Sequence, residues 1–150
     1  MAGYRKIAVA IDLSSESNAI LTRARDVAAA DGELHLIYVQ EPMDSVYMGV
    51  VPYGPVFVGM DEVEENLRSE LQEKLDSIGE QYDIPSSQRH FLSGTPAREI
   101  HRFAREHDTD LIVLGTHGQK GVQLLLGATA NSVLHGSTCD VLAVRMKETS

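Results

Sequence analysis

One cysteine, Cys139, stands in 150 residues, so no internal disulfide framework is available and a reducing compartment is expected. No apolar run reaches the 18 residues that a membrane-spanning helix needs, and Met1 to Lys6 carry no signal-peptide pattern. Basic residues are outnumbered 13 to 22 by acidic ones, and no Lys/Arg cluster interrupts the net charge of −9. That argues against general nucleic-acid binding and against attraction to an anionic membrane surface. It leaves room for one bound nucleotide, whose phosphates would meet local dipoles. The P-loop pattern is absent, because Lys120 precedes Gly121 instead of following it, and the dinucleotide fingerprint is absent as well.

What is present is an ordinary globular composition, 43% hydrophobic and 23% charged, in a length that suits one domain over 1–150. Apolar runs alternate with helical patterns. Ile7-Ala8-Val9-Ala10-Ile11 ends at Asp12 and reads as a strand buried on both faces. Ser14, Ser15 and Ser17 are N-cap candidates for a helix over 15–30, whose apolar residues are Ala19, Ile20, Ala24, Val27 and Ala28; Asp31-Gly32 should stop it. Leu34 to Val39 forms a second strand. Residues 40–60 are broken by Pro42, Pro52, Pro55 and several glycines, and read as a long loop packed over its own core.

Val63, Leu67, Leu71, Leu75 and Ile78 recur at spacings of four, four, four and three, a second helix with acidic first turns and an end bracketed by Gly79 and Pro85. Arg89 to Leu92 is a short strand expected at an edge. Thr95 and Pro96 are natural N-cap and first residues for a third helix, which buries Ala97, Ile100, Phe103 and Ala104. Leu111 to Leu114 is a fourth strand. A glycine loop follows, with Gly115, Gly118, Gly121 and Gly127, then a fourth helix burying Ala130, Val133 and Leu134 and ending at Gly136. Asp140 to Val144 is the fifth strand. Strands are expected near 5–11, 33–39, 88–93, 109–114 and 140–144.

Such alternation implies a parallel α/β sheet with right-handed crossovers and helices on both faces. If the first and fourth strands are neighbours, strand order reverses between them, and ligands bind at that crevice. Glycines between a strand and a helix allow close backbone approach to an anion, and the helix start offers free N–H groups. Asp12 could accept a ribose hydrogen bond or cap the turn into the first helix. His117 reads as an exposed loop histidine. Cys139 and His135 lack any group to orient them as a nucleophile pair, and a small buried cysteine is the better reading. His35, His90, His101 and His107 show no metal-ligand spacing. No acid–base pair marks an enzyme.

The run from Ile7 to Ser14, Gly94-Thr95-Pro96, the glycine loop and Cys139 to Arg145 together resemble the universal stress protein family over essentially the whole chain. The resemblance implies a single-domain open sheet of five parallel strands ordered 3-2-1-4-5, like that of adenine nucleotide alpha hydrolases. It also implies homodimers, here through the apolar fifth strand at the sheet edge. Some members bind ATP through G-x2-G-x9-G-[ST]. Here Gly115-x2-Gly118 matches, eight residues instead of nine precede Gly127, Ala128 replaces Ser or Thr, and Gln119 stands where many members have Arg. By that pattern Ala10, Ile11, Asp12 and Val39 line the adenine and ribose pocket. Leu114 and Gly115 lie near the ribose, and Gly118, Gly127, Ala128 and Thr129 near the phosphates. The function implied is a cytoplasmic stress-response protein that binds ATP, with magnesium, as a sensor or switch. The alternatives are a nucleotide-free dimeric scaffold of the same fold and a nucleotide enzyme on the same architecture.

Overall fold

Five strands hydrogen-bond side by side in the order β3-β2-β1-β4-β5, and all four neighbouring pairs run parallel. They are β1 (Tyr4–Ala10), β2 (Ala28–Gln40), β3 (Arg89–Ser93), β4 (Leu111–Gly115) and β5 (Asp140–Val144). The helices among the described residues are α1 (Ser17–Val27), α2 (Met60–Gln81), α3 (Pro96–Glu106) and α4 (Ala128–Gly136), with one 3-10 turn at Ser86–Gln88. This computed structural model describes residues 3–14, 16–41, 60–116 and 128–145. The expected 40–60 loop and the glycine loop lie almost wholly outside them, so neither expectation is addressed.

Continuous apolar strands are what a sheet covered on both faces requires, because successive side chains point to opposite sides. Ile7, Val9, Leu34, Leu36, Leu111 and Val113 point to one face, where Ile20, Leu21 and Ala24 of α1 and Leu75 of α2 cover them. Ala8, Ile37, Ile112 and Leu114 point to the other, under Ile100, Phe103 and Ala104 of α3 and Ala130 and Val133 of α4. Register follows from this alternation: a slip of one residue would send Ile7 and Val9 of β1 to the wrong layer.

Several helix boundaries differ from the sequence expectation. α1 begins at Ser17 with Glu16 as N-cap and no side-chain cap bond, so neither Ser14 nor Ser17 caps it. It ends at Val27, and Asp31-Gly32 lie within β2 instead of stopping a helix. Tertiary contacts decide this. Ala28 pairs with Tyr4, Asp31 is bound by Arg5 at 2.7 Å, and a Cβ on Gly32 would sit 2.7 Å from the Tyr4 carbonyl oxygen. Gly79 lies inside α2, where its missing side chain leaves room for Arg89. Arg89 in turn donates to the Ile84 carbonyl at 2.9 Å and pairs with Asp76 at 3.3 Å.

Aspartates end two helices where glycine is the usual choice. Asp83 has φ 55°, with Ile84 N–H bonded to Gly79 O at 2.8 Å and Asp83 N–H to Glu80 O at 3.2 Å. Asp108 has φ 51°, with Thr109 N–H bonded to Ala104 O at 3.0 Å. Both are left-handed C-terminal caps of the Schellman kind. Exposure also corrects two core expectations: Val63 is 55% exposed and Leu134 52%, whereas Leu75 and Val133 are fully buried. Thr95 is the N-cap of α3 and Pro96 opens it, as expected, although the threonine side chain makes no cap bond.

Candidate functional site

The reversal of strand order falls at β1, which has β2 on one side and β4 on the other. There α1 covers one face of the sheet and α4 the other, the arrangement in which open α/β sheets place a ligand crevice at the carboxyl ends of the strands. The fold brings Ala10, Ile11, Asp12, Val39, Leu114 and Gly115 to that end. Ala10 is in register with Ile37, Val39 with Leu92, and Gly115 with Val144. Ile11 N–H donates to Ile37 O at 3.0 Å, and Thr116 N–H donates to Val144 O at 3.0 Å.

Burial sorts these residues by what they can offer. Ile11 is 7% and Leu114 4% exposed, so their side chains belong to the core and only their main chain borders the crevice. Ala10, Asp12, Val39 and Gly115 are half-buried. Ala128 and Thr129 are exposed at the start of α4, where N–H groups have no intrahelical acceptor. Gly118, Gly127 and His117 lie outside the described residues.

Asp12 shapes the exit from β1. Its Oδ1 accepts the Ser14 N–H at 3.0 Å, and Ser14 Oγ accepts the Glu16 N–H at 3.3 Å, two successive side-chain turns. The Asp12 charge also reaches Tyr38, whose hydroxyl is pushed above its usual range by burial first and then by Asp12 and Glu41. The described rim is therefore acidic on the β1–β2 side, and the donor groups belong to the α4 side. Cys139 is remote from this chemistry. Its main chain and sulfur meet the Ser137 hydroxyl, and burial pushes its thiol up, which keeps it protonated and a poor nucleophile.

The strand order and the two-sided covering of the sheet agree with the comparisons. A model of the universal stress protein family matches residues 3–145. The chain belongs to the universal stress protein family. Universal stress protein A homolog 1 of Coxiella burnetii is 39% identical over 97% of this chain and 99% of its own length. The solved universal stress protein UspA of Lactobacillus plantarum superposes with a TM-score of 0.72 at 23% identity, covering 97% of this chain and all of its own. Another solved structure, a universal stress protein in complex with cAMP, has a TM-score of 0.60 at 22% identity and covers 95% and 98% of the two chains. Among the described residues of this universal stress protein, no helix is long and apolar enough to cross a membrane.

Sequence spacing missed one assembly. His35, His90 and His107, which show no metal-ligand spacing in the sequence, meet around Phe103 away from the carboxyl ends of the strands. Only the pairing of β2 with β3, and the return of α3 over both, could have revealed it.

Proposed function

We propose that this universal stress protein is a cytoplasmic stress-response protein that binds ATP, with magnesium, as a sensor or switch at the carboxyl ends of β1 and β4. The observation that carries the reading is the convergence of Ala10, Asp12, Val39 and Gly115 on the crevice where strand order reverses, with the open end of α4 after it. Adenine and ribose would lie over Ala10, Val39 and the main chain of Ile11 and Leu114, with Asp12 toward the ribose. The phosphates would turn toward Ala128 and Thr129, away from Asp12 and Glu41 and onto the positive end of the helix dipole. Gly118 and Gly127 would close the loop over them. The solved family member holding cAMP supports the fold as a carrier of adenine nucleotides.

Titration calorimetry with millimolar ATP and magnesium tests the reading directly. Heat of binding that competes with adenosine is the expected result. No binding to the parent or to Ala128→Ser would end it and leave the dimeric scaffold. That second reading has its own observation: β5 is hydrogen-bonded only to β4, so an apolar edge is open on the other side among the described residues. A two-fold pairing along Val141 to Val144 would cover it in both copies. Light scattering at micromolar concentration should give twice the mass of one chain.

A further inference from the structure

Three histidines from three elements are packed together on the α3 face of the sheet. His35 belongs to β2, His90 to the edge strand β3, and His107 is the residue that ends α3. Nδ1 of His35 and Nε2 of His90 are 3.0 Å apart, and the two rings stack at 5.3 Å. The Phe103 ring lies 4.6 Å from that of His90 and 3.9 Å from that of His107. His107 Nδ1 donates to the Phe103 carbonyl at 3.0 Å, and His35 Nε2 lies 3.3 Å from Glu33 Oε2. No three His, Cys, Asp or Glu side chains among the described residues are arranged to hold a metal ion, so the chemistry open to the cluster is protonation.

The protons can be counted. Ionised Glu33 only accepts, so His35 carries its hydrogen on Nε2. In the neutral pair His35 Nδ1 is then the acceptor, and His90 donates from Nε2. One added proton is tolerated: His35 becomes doubly protonated and donates to Glu33 and to His90, which moves its own hydrogen to Nδ1. A second added proton sets N–H against N–H across 3.0 Å, with no acceptor between them and two like charges in contact. The fold therefore opposes that step. His90 is lowered from its ordinary value near 6.5 to about 4, by burial first and then by the charges of His35 and His107.

The surrounding charges do not relieve it. Glu33 is spent on the far nitrogen of His35. Lys6 of β1, in register with Glu33, adds positive charge. Asp110, ahead of β4, is held by the main-chain N–H groups of Arg5 and Lys6 at 2.9 Å each. At the end of α3, Glu106 and Asp108 are exposed, and Arg89 of β3 is bonded to Ile84 and Asp76 beside α2. We propose that the His35–His90–His107 cluster is a proton-operated latch. With at most one proton shared between His35 and His90 it holds edge strand β3 and the end of α3 against β2, and uptake of the second proton releases them. β3, like β5 at the other edge, has a strand partner on one side only among the described residues, so it can open without breaking the central pairs of the sheet. The sign follows from linkage: the unfolded chain binds the proton more tightly, so the latch is whole above about pH 6.5 and weakens as pH falls toward 4. The latch is independent of the ATP reading.

Amide hydrogen exchange of the whole chain by NMR, corrected for intrinsic rates, tests this between pH 7 and pH 4.5. Protection at Phe91 and Leu92 of β3 should fall at least tenfold, while Ile112 and Val113 of β4 change little. His90→Phe, which keeps the stack on Phe103, should abolish the fall at Phe91 and Leu92. If His90→Phe does not fold, His35→Gln, which removes the second site of charge but leaves His90 buried, should make the fall at Phe91 and Leu92 smaller than in the parent. Equal loss of protection in β3 and β4 of the parent would overturn the latch. So would a variant that keeps the parent's pH dependence at β3.

Discussion

Asp12 Oδ1 and the main-chain nitrogen of Ser14 are 3.0 Å apart, and Leu13 between them is turned into the left-handed region at φ 62°. A leucine there is strained, and strain of this kind gathers at functional turns. The carboxylate holds the turn closed at the mouth of the crevice. Structure and proposed recognition thus share one side chain.

Removing that acceptor should cost stability. Asp12→Ala is expected to lose about 1 kcal/mol, the size of a lost side-chain cap, while Asp12→Asn keeps an oxygen for Ser14 and loses less. Urea denaturation of the three proteins checks the order. Leu13→Gly relieves the strained φ but frees the unfolded chain, so it should change stability by less than about 1 kcal/mol.

The two aspartate caps make the opposite prediction. Asp83 and Asp108 occupy φ 55° and φ 51°, conformations that glycine adopts without Cβ strain. Asp108→Gly should raise stability by about 0.5 kcal/mol, seen as a higher urea midpoint at unchanged slope. A fall in midpoint would mean that the Asp108 side chain contributes more than its backbone strain costs.

Core packing should respond to volume at the two-sided sheet. Ile112 is fully buried beneath α3 and α4. Ile112→Val is expected to cost about 0.5–1.5 kcal/mol and Ile112→Ala about 2–5 kcal/mol, the excess reflecting the cavity left behind. Chemical denaturation measures both. Leu134, half-exposed on the outer side of α4, should accept alanine at under about 1 kcal/mol.

Nucleotide affinity should respond to the first turn of α4. Ala128→Ser adds one hydroxyl where phosphate is expected, worth about 1–2 kcal/mol to a charged acceptor, or roughly tenfold in affinity. The gain should appear for ATP in calorimetry and be absent for adenosine. An equal gain for both would place the hydroxyl away from the phosphates.

The sequence by itself determined the layers. Apolar runs at Ile7 to Ile11, Leu111 to Leu114 and Val141 to Val144 are short enough for strands, and their alternation with helical stripes points to a parallel sheet. The family resemblance supplied the strand order and the crevice residues. Local signals were weaker where long-range contacts compete with them. Gly79 and Gly32 looked like helix stops, yet one makes room for Arg89 and the other lies against the Tyr4 carbonyl. The true stops, Asp83 and Asp108, carry no signal that separates them from other aspartates. Exposure of Leu134 depends on how α4 is rolled on the sheet, which helical periodicity leaves open by a residue. The histidine cluster was decided by tertiary structure alone. Positions 35, 90 and 107 share no spacing, and only the register of Ile37 with His90 and the return of α3 bring three rings to one place.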